Sequence, residues 1–399
     1  MLSDPAAKDR ILVTVTGRDR PGVTATLTGI LAAQGAALHD IEQVVVHQQL
    51  TLCLLVGLPR SRDVLKELLF AAKELGMELE FNPVTDGPEK EQPPQGQMYV
   101  ITAIGPALGA NNIHAIASTL AAEGANIEKI SRLSEGSLAS VEIHARLPDS
   151  GDPERLKRSL LAQAMRASFD VSLQREGLYR RSKRLVVMDM DSTLIRIEVI
   201  DELARAAGVG PQVAQITERA MQGEMDYDES LRQRVSLLKG LDVKVLDQIA
   251  ADLPLTEGAE TLVRVLKRLG YRIAVISGGF SRAADALKRR LSLDYAFSNN
   301  LEIEQGKLTG KVVGPIVNAN RKAELLELIA QLEGVVLDQV IAVGDGANDI
   351  LMLERAGLGI AFRAKSKLRE AADTSLSGAG LDAILYLLGI SAREIREVD

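Results

Sequence analysis

RLVVMDMDSTLIRIE, residues 184–198, is the stretch from which the fold of this chain can be read. Leu185 to Met188 form an apolar run that predicts a buried strand. The run ends on Asp189, Asp191 follows, and Thr193 and Leu194 begin a turn away. Two carboxylates at the exit of a buried strand are costly to desolvate unless a positive charge joins them. A hard cation such as Mg²⁺ meets that need, because it takes oxygen ligands. Open α/β sheets place ligands beyond the carboxyl ends of their strands, so this strand end is the expected centre of a site.

Outward from it, the C-terminal half alternates strands and helices. Tyr271–Ile276, Val340–Val343 and Gly357–Phe362 read as further strands, which predicts an α/β domain with a largely parallel sheet. The stretch from 197 to 266 interrupts the alternation. It is helical in pattern near 200–207, 211–223, 227–239 and 243–251, and is expected to be an inserted cap. Residues 295–317 predict a hairpin around Gln305-Gly306-Lys307.

Three strand ends carry polar groups. The first gives Asp189 and Asp191, the second Ser277-Gly278-Gly279, and the third Gly344-Asp345-Gly346-Ala347-Asn348-Asp349. Lys322 stands near the start of a helix between the last two, with Arg321 beside it as the alternative cation. No His or Cys occurs from Glu176 onward, which excludes a Ser-His-Asp triad, a thiolate nucleophile and thiolate-bound zinc there. Carboxylates, a hydroxyl, glycine-borne backbone donors and an ammonium suit phosphoryl transfer.

The N-terminal half is a tandem repeat. ILVTVTG (11–17) aligns with MYVITAIG (98–105), and each is followed by a helix ending in a similar Ala-Ala-x-Gly-Ala element. Each copy reads βαββαβ, with Asp152-Pro153 as the start of the last helix of the second. The expected divisions are 8–85, a linker at 86–97 rich in Pro, Gly and charge, 98–176, and 184–394. The basic junction EGLYRRSK (176–183) reads as a solvated linker, with phosphate binding as the alternative.

The remaining composition narrows partners. A net charge of −7 and only 3% aromatic residues argue against nucleic acid, anionic membrane and base stacking. A single cysteine, Cys53, rules out an internal disulfide framework. With no signal-like N-terminus and no apolar run long enough to span a bilayer, a cytoplasmic location and no membrane partner are expected.

DMDST (189–193), ISGGF (276–280), Lys322 and GDGANDI (344–350), in this order, resemble the four motifs of the haloacid dehalogenase superfamily. Glu198 and the cap segment TERAMQGEMDYDESLRQRVSLLKGL (217–241) narrow the resemblance to the phosphoserine phosphatase family. The repeats resemble ferredoxin-like ACT domains, most clearly at GRDRPGVTATLTGILAAQG (17–35); the second copy lacks the Asp-Arg-Pro-Gly turn. The implied fold is a Rossmann-like parallel sheet with a helical cap, preceded by two α+β domains.

The resemblance implies a Mg²⁺-dependent hydrolysis of O-phospho-L-serine to serine and phosphate, the last step of serine biosynthesis. In it Asp189 is the nucleophile that forms an aspartyl-phosphate, and Asp191 is the general acid and base. Mg²⁺ is expected on Asp189, Asp345 and the backbone carbonyl of Asp191, with Asp349 supporting that shell directly or through water. Ser277, Gly278 and Lys322 are expected to hold the phosphoryl oxygens, and Asn348 to orient substrate. Glu198 suits the substrate ammonium and Arg234 its carboxylate, while Met221 and Tyr227 form a lid. Asp19, Arg20, Pro21 and Gly22 are expected to receive an amino-acid effector such as serine, and a homodimer is the implied assembly. Transfer of the phosphoryl group to another alcohol, or a primary role as amino-acid sensor, are the alternative readings.

Overall fold

The computed structural model describes residues 10–58, 63–84, 95–134, 138–364 and 366–398. Residues 86–94, most of the expected linker, lie outside the described residues. The chain divides into two compact units, Met1–Pro94 and Gln95–Asp399.

The first unit contains β1 (Arg10–Arg18), α1 (Val23–Ala33), β2 (Ala37–Val46), β3 (Gln49–Gly57), α2 (Asp63–Glu74) and β4 (Glu78–Val84). Its antiparallel sheet has the order β2-β3-β1-β4. Val13 and Val15 alternate along β1 and pack with Leu52, Leu54, Leu27 and Leu68 in one core. β2 is an edge strand and is exposed along most of its length.

The second unit opens with β5 (Gln97–Gly105), α3 (Ala110–Ala122), β6 (Asn126–Ser134), β7 (Ala139–Leu147), α4 (Pro153–Ala167) and β8 (Asp170–Arg175). The order β6-β7-β5-β8 repeats that of the first unit. Asp152 caps α4 as its sequence implies, accepting from the backbone of Glu154 and Arg155. A short helix α5 (Leu178–Arg181) leads to β9 (Leu185–Met188).

After β9 come four cap helices, α6 (Val199–Ala206), α7 (Gly210–Met221), α8 (Tyr227–Ser236) and α9 (Val243–Ala251). The chain then returns through α10 (Ala259–Arg268), β10 (Arg272–Phe280), α11 (Ser281–Leu291), β11 (Tyr295–Glu304), β12 (Lys307–Val313) and α12 (Ala319–Leu332). The last elements are β13 (Val340–Gly344), α13 (Ile350–Arg355), β14 (Leu358–Phe362), α14 (Ser366–Ala371), β15 (Thr374–Leu376), α15 (Ile384–Leu387) and α16 (Ala392–Val398). β9, β10, β13 and β14 are mutually parallel neighbours at the centre of the sheet. Both faces are covered, so their sequences are continuous apolar runs. Val186 and Met188 enter one core, while Leu185 and Val187 enter the core on the other face.

Three expectations change. The cap is shorter than 197–266. Arg196 N donates to Pro254 O (2.9 Å) and Thr256 N to Leu194 O (3.0 Å), which closes its neck. Beyond the neck, α10 packs against β10 and α16; helical periodicity alone does not say which layer a helix joins. The junction 176–183 is not a solvated linker, because Arg180 and Lys183 are buried. Nor does it separate two compact units: β15 pairs with β8, so the second repeat extends the C-terminal sheet to eleven strands. Among the described residues, no helix is long and apolar enough to cross a membrane.

Candidate active site

Beyond β9 the chain makes a wide turn through Met190–Leu194, in which Ser192 takes a left-handed φ of 57°. That turn holds Asp189 and Asp191 at the carboxyl edge of the sheet. β13 brings Asp345 to the same edge, and the turn into α13 brings Asp349. Carboxylate oxygens of Asp189, Asp345 and Asp349 all lie within 4.8 Å of one another.

Lys322, on the first turn of α12, is fully buried among them. Its Nζ lies 2.8 Å from Asp189 Oδ1 and 2.7 Å from Asp349 Oδ1. Arg321 faces away, pairing with Glu324 at the surface, so Lys322 is the cation of the cluster. Burial opposes charge on Lys322, but Asp189 and Asp349 outweigh burial and raise its pKa. Burial, reinforced by Asp349, pushes Asp189 well above the usual carboxylate range despite Lys322. Burial and Asp349 likewise raise Asp345, to about 6. Two buried carboxylates and one half-buried carboxylate facing one ammonium are short of positive charge. An all-oxygen donor set of this kind fits a hard divalent cation.

Asp191 is set apart from that trio. Its Oδ1 accepts from Val199 N at the start of α6 (3.1 Å), and its Oδ2 from Ser277 Oγ (3.3 Å). Burial and the nearby charge of Glu198 push it up to about 7. A carboxyl poised near neutrality suits proton transfer. The Ser277 hydroxyl lies between Asp191 and Gly279, donating to Asp191 Oδ2 and accepting from Gly279 N (2.8 Å). The glycines of that loop let site side chains approach the backbone closely. A Cβ on Gly279 would meet Asp191 Oδ2 at 2.4 Å, and one on Gly278 would meet the Tyr227 hydroxyl at 2.0 Å.

The cap supplies the roof. Tyr227 OH donates to Gly278 O (3.4 Å), and burial pushes its phenol up to about 12. Arg234, half-buried on the same helix α8, donates from Nε to Ser230 O (3.3 Å). Glu198 stands at the mouth and accepts from Ser192 Oγ (2.8 Å). Asn318 Nδ2 on the core donates to Asp228 on α8 (3.0 Å). The hairpin turn joins the cap through Leu308 N to Leu241 O (2.9 Å) and Val243 N to Gly306 O (2.9 Å). Asn348 lies beside Gly346 in the loop before α13. Met221 ends α7, is 63% exposed, and lines a groove with Ala214 and Thr217. The helix ends before Gly223, leaving the thioether on the outer surface.

Two residues to which the sequence assigned no role in the site carry part of its geometry. Thr193 Oγ1 donates to Asp345 Oδ1 (3.0 Å) and fixes that carboxylate. Asn299, buried in β11, donates to Gly278 O (2.7 Å) and accepts from Val317 N (2.8 Å), which holds the Ser277-Gly278-Gly279 loop. In the first unit, Asp19, Arg20, Pro21 and Gly22 line a cavity of about 310 Å³ at the start of α1. Gly22 has φ 97°, a conformation that lets the chain turn into the helix with its first N–H groups unhindered by a side chain.

A parallel sheet with an inserted cap and a carboxylate–lysine cluster at its strand ends defines a haloacid dehalogenase-like hydrolase, and the model of that family matches residues 183–357. ACT-domain models match 9–82 and 98–174. A phosphoserine phosphatase of Streptomyces coelicolor is 44% identical over 393 residues, 98% of this chain and 94% of that protein. One of Mycobacterium tuberculosis is 45% identical over 397 residues, 98% of this chain and 96% of its own length. A crystal structure of a probable phosphoserine phosphatase from Vibrio cholerae, 37% identical, superposes with a TM-score of 0.60, covering 75% of this chain and 89% of that one. The chain belongs to the phosphoserine phosphatase family.

Proposed function

We propose that the enzyme hydrolyses O-phospho-L-serine to L-serine and phosphate, using Mg²⁺ and a covalent intermediate on Asp189. The observation that carries this reading is the division of labour among the carboxylates. Asp189 is held in the carboxylate trio by Lys322, while Asp191 sits outside it on Val199 N and Ser277 Oγ. Asp189 attacks phosphorus as the serine oxygen leaves. Asp191, protonated near neutrality, delivers its proton to that oxygen. It then takes a proton from the water that cleaves the aspartyl-phosphate. Lys322 has a third N–H for a phosphoryl oxygen, and the Gly278–Gly279 loop faces the same oxygens. Asp189, Asp345 and the carbonyl of Asp191, with Asp349 in support, would hold Mg²⁺, which would supply positive charge to offset the negative charge that develops on the phosphoryl group.

Glu198 at the mouth receives the substrate ammonium and Arg234 its carboxylate, with Tyr227 and Asn348 bounding the space between. A substrate panel tests the assignment. O-phospho-L-serine should exceed sugar phosphates in kcat/KM by about 10²-fold or more, because sugars leave Glu198 and Arg234 unpaired. Equal turnover of both would defeat it.

The raised carboxyls give a second expectation. Asp191 and Asp345 titrate near 7 and 6 in the folded chain, against about 3.9 unfolded. The folded state therefore binds more protons in this window, and stability of the metal-free chain falls as pH rises from about 4 to about 7. Mg²⁺ binds the deprotonated form. Its addition should raise Tm by several degrees more at about pH 7.5 than at about pH 5. Equal gains at both would show that the trio does not hold the cation.

The cavity at Asp19–Gly22 supports binding of an amino acid such as serine, its carboxylate toward the open start of α1. The exposed edge strand β2, with Ile41, Val44 and Val46 outward, supports pairing of two copies in a homodimer. A cytoplasmic location fits a biosynthetic role of this kind.

A further inference from the structure

The basic junction forms a second buried polar site, remote from the carboxylates. It lines a cavity of about 430 Å³ between β8, α5 and the amino-terminal ends of β13 and β14. Lys183 and Arg180 lie at its inner wall, 4% and 5% exposed. Two Arg180 nitrogens reach Glu142 and Glu176, but its buried Nε has no hydrogen-bond partner. Lys183 makes one hydrogen bond among the described residues, to Asp338 O at 2.5 Å. Burial pushes its ammonium down to about 8. A buried ammonium with unused donors and a guanidinium with an orphaned N–H call for an oxygen acceptor.

Carboxylates occupy the outer part of the same cavity. Glu176 and Asp373 are only partly buried and Asp338 is exposed. Inside, Glu142 balances Arg180 while Lys183 has no carboxylate in ion-pair reach among the described residues; one uncompensated cation within and anions at the rim disfavour a dianion and favour a ligand with separated charges. We propose that this junction binds a small α-amino carboxylate, its carboxylate on Lys183 and Arg180 and its ammonium toward Glu176, Asp338 and Asp373. Position gives the site a connection to catalysis. Lys183 lies two residues before β9 and Asp338 two before β13, the strands whose far ends carry Asp189 and Asp345. The site lies on the opposite edge of the sheet from the active site and is independent of the reading given above for that site.

Isothermal titration of L-serine into the full chain tests it, with Lys183→Met removing the inner cation. Gly177→Leu is the second variant. Gly177 lines the cavity, its backbone is extended and a Cβ there meets nothing within 4 Å, so the substitution is chosen to narrow the cavity. Circular dichroism checks the fold of each, and Gly177→Leu decides alone if Lys183→Met does not fold. Affinity at one serine site per chain should fall about tenfold or more in both variants. Serine binding unchanged in a folded variant, or no binding by the parent chain, overturns the proposal. Inorganic phosphate binding that depends on Lys183, without serine binding, overturns the assignment of ligand class.

Discussion

Asp189→Asn should lose turnover of O-phospho-L-serine by at least about 10³-fold while its Tm stays level or rises. The loss follows from removing the attacking oxygen. The stability follows from electrostatics at the same atom. Asp189 is buried beside Asp349 and Asp345, and its carboxyl is pushed well above the usual range even with Lys322 at 2.8 Å. A group whose folded pKa is raised costs stability at neutral pH. Asn removes that charge, keeps the shape, and leaves Lys322 on Asp349. Steady-state assay and thermal melting of the metal-free chain check the two halves. A variant that keeps activity would mean another nucleophile; a large fall in Tm would mean the charge is not under strain.

Lys322→Met should fail in both respects. The ammonium is fully buried and is the shared partner of Asp189 and Asp349. Deleting one member of a buried ionic cluster leaves uncompensated charge and costs about 3–5 kcal/mol. Activity should fall by about 10²-fold or more, since Lys322 also faces the phosphoryl oxygens. Because the lost charge is positive, added Mg²⁺ should recover more of the Tm in this variant than it adds to the parent. Denaturant unfolding with and without Mg²⁺ measures this. A stability loss near zero would show that solvent, not Lys322, compensates the carboxylates.

These two residues were readable because strand ends in a parallel sheet expose side-chain chemistry directly. Asp189, Asp191, Asp345, Asp349 and Lys322 each follow an apolar run or open a helix, and the sheet gathers them. What escaped the reading is held by residues of ordinary type. Asn299 looks like any polar residue in a strand, and its role depends on β10 bringing Gly278 within 2.7 Å. Thr193 reads as a turn residue until Asp345, 152 positions later, meets its hydroxyl. β15 spans only three residues and carries no periodic signal, so its pairing with β8 was not legible. That pairing brings β8 and the following junction against the sheet, where Arg180 and Lys183 are buried despite their charge.

The central claim is a phosphoryl group carried on Asp189. Rapid acid quench of the Mg²⁺-loaded enzyme during turnover of radiolabelled O-phospho-L-serine, followed by digestion and peptide mapping, tests it most directly. The account predicts label on the peptide containing Asp189, absent in Asp189→Asn. Label on another residue, or phosphate release with no labelled peptide at any quench time, would contradict it.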